Sequence, residues 1–173
     1  MPKENHLLSL EQIQTAAREV MLTNGFHLPT IIAQSESAQI VGQVPELGGS
    51  SDEKQAQLFA LGFLLSQERV LRALHQVYLV TEAWSVVFKN PSAVPTEVRP
   101  SQHPDRVEVL IIAGLNVIEQ IGSLTMYEMV REAEQVVELL EHSIPSEVGE
   151  VKSALLEAFV LGFQTGQRRF PTH

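Results

Sequence analysis

Six side chains with chemical capability stand near one another in the middle of the sequence. Glu82 and Trp84 lie before a proline-rich stretch, and His103, Asp105, Arg106 and Glu108 lie at its end. Two residues apart, Glu82 and Trp84 share one face of a strand. If the strand bearing Glu108 pairs beside them, two carboxylates meet an aromatic plane. Such a group could bind a cation, hold a polar ligand, or move a proton if burial raised one carboxyl pKa. A plainer use makes Trp84 a core anchor, Glu82 a partner of Arg106 or Arg99, and Glu108 a solvated acid. His103, Pro104, Asp105 and Arg106 also suit a turn in which Asp105 accepts from local amides. The six are candidate ligand-binding positions, and no residue among them is assigned as catalytic.

The elements around them are legible from pattern. Gln76 to Val87 and Val107 to Ala113 are rich in β-branched and aromatic residues and predict two strands flanking the loop of Pro91, Pro95, Pro100 and Pro104, with Gly114 and Asn116 marking the turn that follows. Upstream, Ser9 and Gln12 form a capping pattern. Leu10, Ile13, Ala16, Ala17, Val20 and Met21 then recur at helical spacing until Asn24 and Gly25. Pro29 closes off further helix. Thr30 to Ala33 and Gln39 to Val44 predict a hairpin across Ser35, Glu36 and Ser37. Ser50 and Glu53 repeat the capping box ahead of a helix over Asp52 to Glu68, apolar around most of its circumference and so expected to be covered on both faces.

Leu124 to Leu140 fits two descriptions. Met126, Met129, Val130, Ala133, Val137 and Leu140 make a helical stripe. The same residues also read as strands, Thr125 to Arg131 and Gln135 to Leu140, turning at Ala133 and Glu134. A sheet of only the two middle runs would be marginal, so strands are preferred. A last helix starts at Pro145 and Ser146 and ends near Gly166. The order is therefore α-β-β-α-β-β-β-β-α, an α+β fold over residues 1–173 with an antiparallel sheet.

The last helix echoes the second at an offset of 100 residues: Phe59, Leu61, Gly62, Phe63, Gln67 and Arg69 recur as Phe159, Leu161, Gly162, Phe163, Gln167 and Arg169. Mid-helix glycine costs about 1 kcal/mol relative to alanine, so its recurrence points to close backbone approach. Phe59, Gly62, Phe63, Phe159, Gly162 and Phe163 are therefore candidate interface residues, with the two helices side by side on the sheet or across a subunit boundary. Apolar surface in excess of what one sheet can cover predicts a homodimer.

Composition narrows the classes. The chain has 21 acidic and 12 basic residues, a net charge of -9, which opposes binding to nucleic acid. Acids gather toward the end, from Glu128 to Glu157, and read as a solvated face. With no cysteine, disulfides, thiolate metal sites and cysteine nucleophiles are excluded, and a reducing, cytoplasmic setting is expected. No apolar run suits a membrane span or a leader. The six histidines are scattered, leaving only a three-ligand set of His75, His103 and Asp105 to consider as a metal site. Phosphate loops, dinucleotide fingerprints and nucleophile elbows are absent, so no cofactor is expected.

Thr81 to Trp84, Pro104 to Leu110 and Tyr127 to Arg131 together resemble uncharacterised small bacterial and phage proteins. That resemblance implies an α+β domain with hairpins over Leu124 to Leu140, and no activity. The expected function is a small intracellular binding or assembly protein, homodimeric, of unknown small-molecule ligand. The alternative is a hydrolase using Glu82, Asp105 and Glu108, with His103, beneath the proline-rich loop as a lid.

Overall fold

A computed structural model describes residues 7–45, 47–86, 98–142 and 153–169. The fold is α+β. Its elements are α1 (Leu10–Asn24), β1 (Thr30–Gln34), β2 (Gln39–Gln43), α2 (Ser51–Gln67), β3 (Gln76–Ser85), β4 (Val107–Asn116), β5 (Ile121–Glu132), β6 (Gln135–His142) and α3 (Ala154–Arg169). The strands form one antiparallel sheet in the order β2-β1-β3-β4-β5-β6. The expected order of elements holds, including two strands where a helical stripe competed.

Local chemistry accounts for the boundaries. Ser9 and Gln12 cap α1 reciprocally, and Gly25 ends it at φ 76°, a left-handed conformation that glycine adopts without a Cβ clash. Ser35 holds the first hairpin, its hydroxyl accepting from the amides of Ser37 and Ala38. Ser50 and Glu53 form the same reciprocal cap on α2. The β5–β6 hairpin turns at Ala133 and Glu134 as expected, with Ala133 left-handed at φ 56°. One expectation is corrected. Gly114 and Asn116 lie inside β4, which continues three residues past Ala113 because β3 and β5 both offer ladder partners there. The last helix begins at Ala154; its expected start at Pro145 and Ser146 lies outside the described residues.

The sheet is covered on both faces. On one, Ile31, Ala33, Val77, Leu79 and Ala113 meet Leu58 of α2 and Leu156, Phe159 and Phe163 of α3. On the other, Ile13, Ala17 and Met21, one stripe of α1, meet Ile32, Tyr78, Val80, Leu110, Ile112 and Tyr127. Both echo helices thus lie side by side on one face, within a single chain. A Cβ built on Gly62 would stand 2.1 Å from the Phe159 carbonyl oxygen, and one on Gly162 would stand 2.0 Å from that of Phe59. The two backbones touch where no side chain fits. Contacts advance together from Phe59–Gly162 to Phe63–Gly166, so the helices run parallel.

Coverage of α2 is one-sided. Leu58 and Gly62 are buried, whereas Leu64 is 62% exposed and Ala56 and Ala60 face outward. The expectation that both its faces are covered is not met within the described residues of this chain. No helix among them is long and apolar enough to cross a membrane.

Candidate functional site

The sequence candidates meet at one end of the sheet, on the α1 face. Register places Trp84 opposite Glu108 and Glu82 opposite Leu110. With Ala83 and Met129, Glu82, Trp84 and Glu108 line a cavity of about 140 Å³. Arg106 lies over the indole, its guanidinium carbon 4.9 Å from the ring centroid, a cation–π contact. His103 and Asp105 meet in the turn before β4, where the Asp105 amide donates to His103 Nδ1 at 3.1 Å. All six candidates are therefore near neighbours, grouped around the β3–β4 end.

Their bonding is largely structural. Glu82 accepts from the His27 backbone N–H in the loop leaving α1. Glu108 pairs with Arg131, and Arg131 also donates to the carbonyls of Gly25 at 3.0 Å and Glu134 at 2.9 Å. Two carboxylates and one guanidinium thus tie the C-terminal end of α1 to the sheet. This corrects three details of the plain reading. Glu82 holds a backbone amide instead of Arg106 or Arg99. Glu108 is ion-paired instead of free in water. Trp84 is 42% exposed, too open to anchor a core.

The three-ligand metal set is not assembled. His75 precedes β3 at the end opposite Trp84, its amide bonded to the Gln34 carbonyl at 2.8 Å, with the full strand separating it from His103 and Asp105. Among the described residues no group of three or more histidine, aspartate or glutamate side chains could hold a metal ion. His142 and Glu128 make a separate pair at 2.7 Å on the other face of β5 and β6.

A larger cavity escaped the sequence reading. Between α1 and the β1–β2 hairpin lies a groove of about 420 Å³, its walls formed by Ile13, Ala17 and Val20 of α1, Phe26 and Leu28 of the following loop, and Val41 of β2. Phe26 and Val41 are each 54% exposed. Among the described residues no aspartate, glutamate, lysine or arginine lines it. The groove exists because α1 crosses toward β6 and leaves the β1–β2 end of its face open. The only signal in the sequence is Phe26 and Leu28, apolar residues in a loop just past the helix stop. Groove and small cavity adjoin where His27, on the groove wall, bonds Glu82, on the cavity wall.

Burial raises the pKa of both tyrosines on this face above the usual phenol value; at Tyr127 the Glu141 carboxylate adds to it and Arg18, stacked 5.2 Å from the ring centroid, opposes it. Both phenols stay neutral over the physiological range.

Comparison with protein-family models, with curated proteins and with solved structures finds no match for the chain.

Proposed function

We propose that this chain is a binding or assembly protein that works inside the cell as a homodimer and holds an apolar ligand or segment in the groove between α1 and the β1–β2 hairpin. The observation that carries this reading is the groove itself. A volume of about 420 Å³ falls within the range of small-ligand sites, roughly 300–1,000 Å³. Walls that, among the described residues, carry no carboxylate, ammonium or guanidinium favour an occupant that is apolar where it touches them. The absence of cysteine suits a reducing compartment. Val41 at the β2 edge, and Leu64 and Leu161 on the helix faces, each more than half exposed, offer two alternative apolar surfaces for a second copy.

A hydrolase using Glu82, Asp105 and Glu108 is the weaker proposal. Glu82 and Glu108 already hold α1 in place, and Asp105 has a side chain 85% exposed. General acid–base work calls for a carboxyl free to meet a substrate, and these carboxyls are either bonded to the protein or open to solvent.

The test uses the fluorescent apolar probe anilinonaphthalene sulfonate with the native protein. One probe per chain with micromolar affinity is expected, weakened at least tenfold by Phe26→Ser. A native protein that leaves the probe dark, or binding indifferent to Phe26, would remove the groove reading.

A further inference from the structure

The sheet ends in two edges of opposite character. At β6, Glu138 and Glu141 stand exposed on the last strand, with Glu134 in the turn before it, charges that deter strand pairing. The other edge, β2, reads Gln39, Ile40, Val41, Gly42, Gln43, with neither charge nor proline. On a chain of net charge -9, an uncharged edge is where a second copy meets least repulsion.

The hydrogen-bond phase of β2 follows from its ends. Val44 donates to the Pro29 carbonyl at 2.7 Å, and Ser35 donates to the Ala38 carbonyl at 2.8 Å. The register between them pairs Ile31 with Gly42 and Ala33 with Ile40. Bonding pairs alternate along an antiparallel ladder, so Ala38, Ile40, Gly42 and Val44 bond inward to β1. Gln39, Val41 and Gln43 therefore aim their N–H and C=O groups out of the sheet. The outward set is symmetric about Val41.

Taking the homodimer reading as its basis, we propose that two copies join edge to edge through β2, antiparallel across a two-fold axis at Val41. In that register Gln39 of each copy lies opposite Gln43 of the other, and the two Val41 residues face each other. Three outward residues per strand give about six backbone hydrogen bonds. The interface is isologous and closes on itself, so no filament grows from it. Val41 lines the groove side of β2, and pairing covers its exposed side chain. The two grooves, one beside each β2, then open into a single trough across the dimer, which couples assembly to binding.

Light scattering on the full chain tests this against the helix faces. Wild type is expected to be a dimer at micromolar concentration. Val41→Lys places a charge at the axis on a side chain already half exposed, and is expected to raise the dimer dissociation constant at least tenfold with an unchanged circular dichroism spectrum. Leu64→Glu and Leu161→Glu, on the outer face of α2 and α3, are expected to leave the dimer intact. In wild type, amide exchange at Gln39, Val41 and Gln43 is expected to slow at least tenfold between dilute and concentrated protein, a readout independent of any variant. A dimer that survives Val41→Lys and splits with the helix substitutions keeps the homodimer reading and overturns the β2 edge. A wild-type monomer overturns both.

Discussion

α2 and α3 carry the same word and live in different surroundings. Phe159 and Phe163 are wholly buried, while Phe59 and Phe63, their counterparts, are half-buried. Gly62 and Gly162, by contrast, occupy reciprocal positions, each beside the other helix's phenylalanine carbonyl. Layer position explains the split. α3 closely approaches β3 and β4, whereas α2 packs chiefly on α3. A residue that answers the partner helix keeps its role in both copies of the word; one that answers the sheet does not.

Large-to-small substitution should expose that difference most strongly. Phe159→Ala is expected to cost about 3–5 kcal/mol and Phe59→Ala about half as much, read by denaturant unfolding. Equal costs would mean that half-burial underrates the α2 ring and that the two layers are energetically alike. The glycines should behave in the opposite way, equally. In an open helix Gly→Ala gains about 1 kcal/mol. Here a Cβ meets a carbonyl oxygen, so Gly62→Ala and Gly162→Ala are each expected to destabilise by about 1–3 kcal/mol. The double variant should cost less than the sum, because one forced separation makes room for both methyl groups. Additivity would place the glycines in unrelated contacts.

Most of the architecture was legible because it rests on short-range chemistry. Ser9 with Gln12 and Ser50 with Glu53 announce helix starts, and the Val- and Tyr-rich run at Gln76 announces a strand. The β5–β6 region shows where pattern alone fails. Its Met and Val spacing suits a helix, and the need of β4 for a neighbour decides for strands. Grouping of Glu82, Trp84 and Glu108 followed from strand pairing, but their partners did not. His27 reaches Glu82 only because α1 folds across the sheet, 55 residues away in sequence, and Arg131 reaches Glu108 diagonally across the β4–β5 ladder, 23 residues away. The groove was illegible for the same reason: it is a space left by the crossing direction of α1, which no local pattern encodes.

A smaller effect tests the second small-residue position. Gly166 faces Ser66, and a Cβ on Gly166 would lie 1.9 Å from the Ser66 hydroxyl and 2.9 Å from the Phe63 carbonyl. Gly166→Ala should therefore cost about 1 kcal/mol, with the hydroxyl able to turn away but the carbonyl fixed. Adding Ser66→Ala should recover part of it, since the hydroxyl is removed without a glycine penalty in the helix. No recovery would assign the whole cost to the carbonyl and make Ser66 a bystander.

The helix starts differ as well, and the difference should show as a pH dependence. In α2 the Ser50 hydroxyl accepts from the Glu53 amide, and the Glu53 carboxylate accepts from the Ser50 amide at 2.6 Å. In α3 Ser153 accepts from Leu156 at 3.4 Å, and leucine cannot return the bond. Ser50→Ala should thus cost about 1 kcal/mol and Ser153→Ala less. Hydrogen bonds from the Ser50 amide and hydroxyl hold the Glu53 carboxyl below its ordinary value of 4.5. A group lowered in the fold contributes stability that is fully present above the unfolded pKa and lost as pH falls through the folded one. The melting temperature should therefore decline below about pH 4.5, and Glu53→Gln, which keeps an acceptor but cannot titrate, should flatten part of that decline. Parallel acid profiles for wild type and Glu53→Gln would show that ionisation of Glu53 adds nothing to the reciprocal cap of α2.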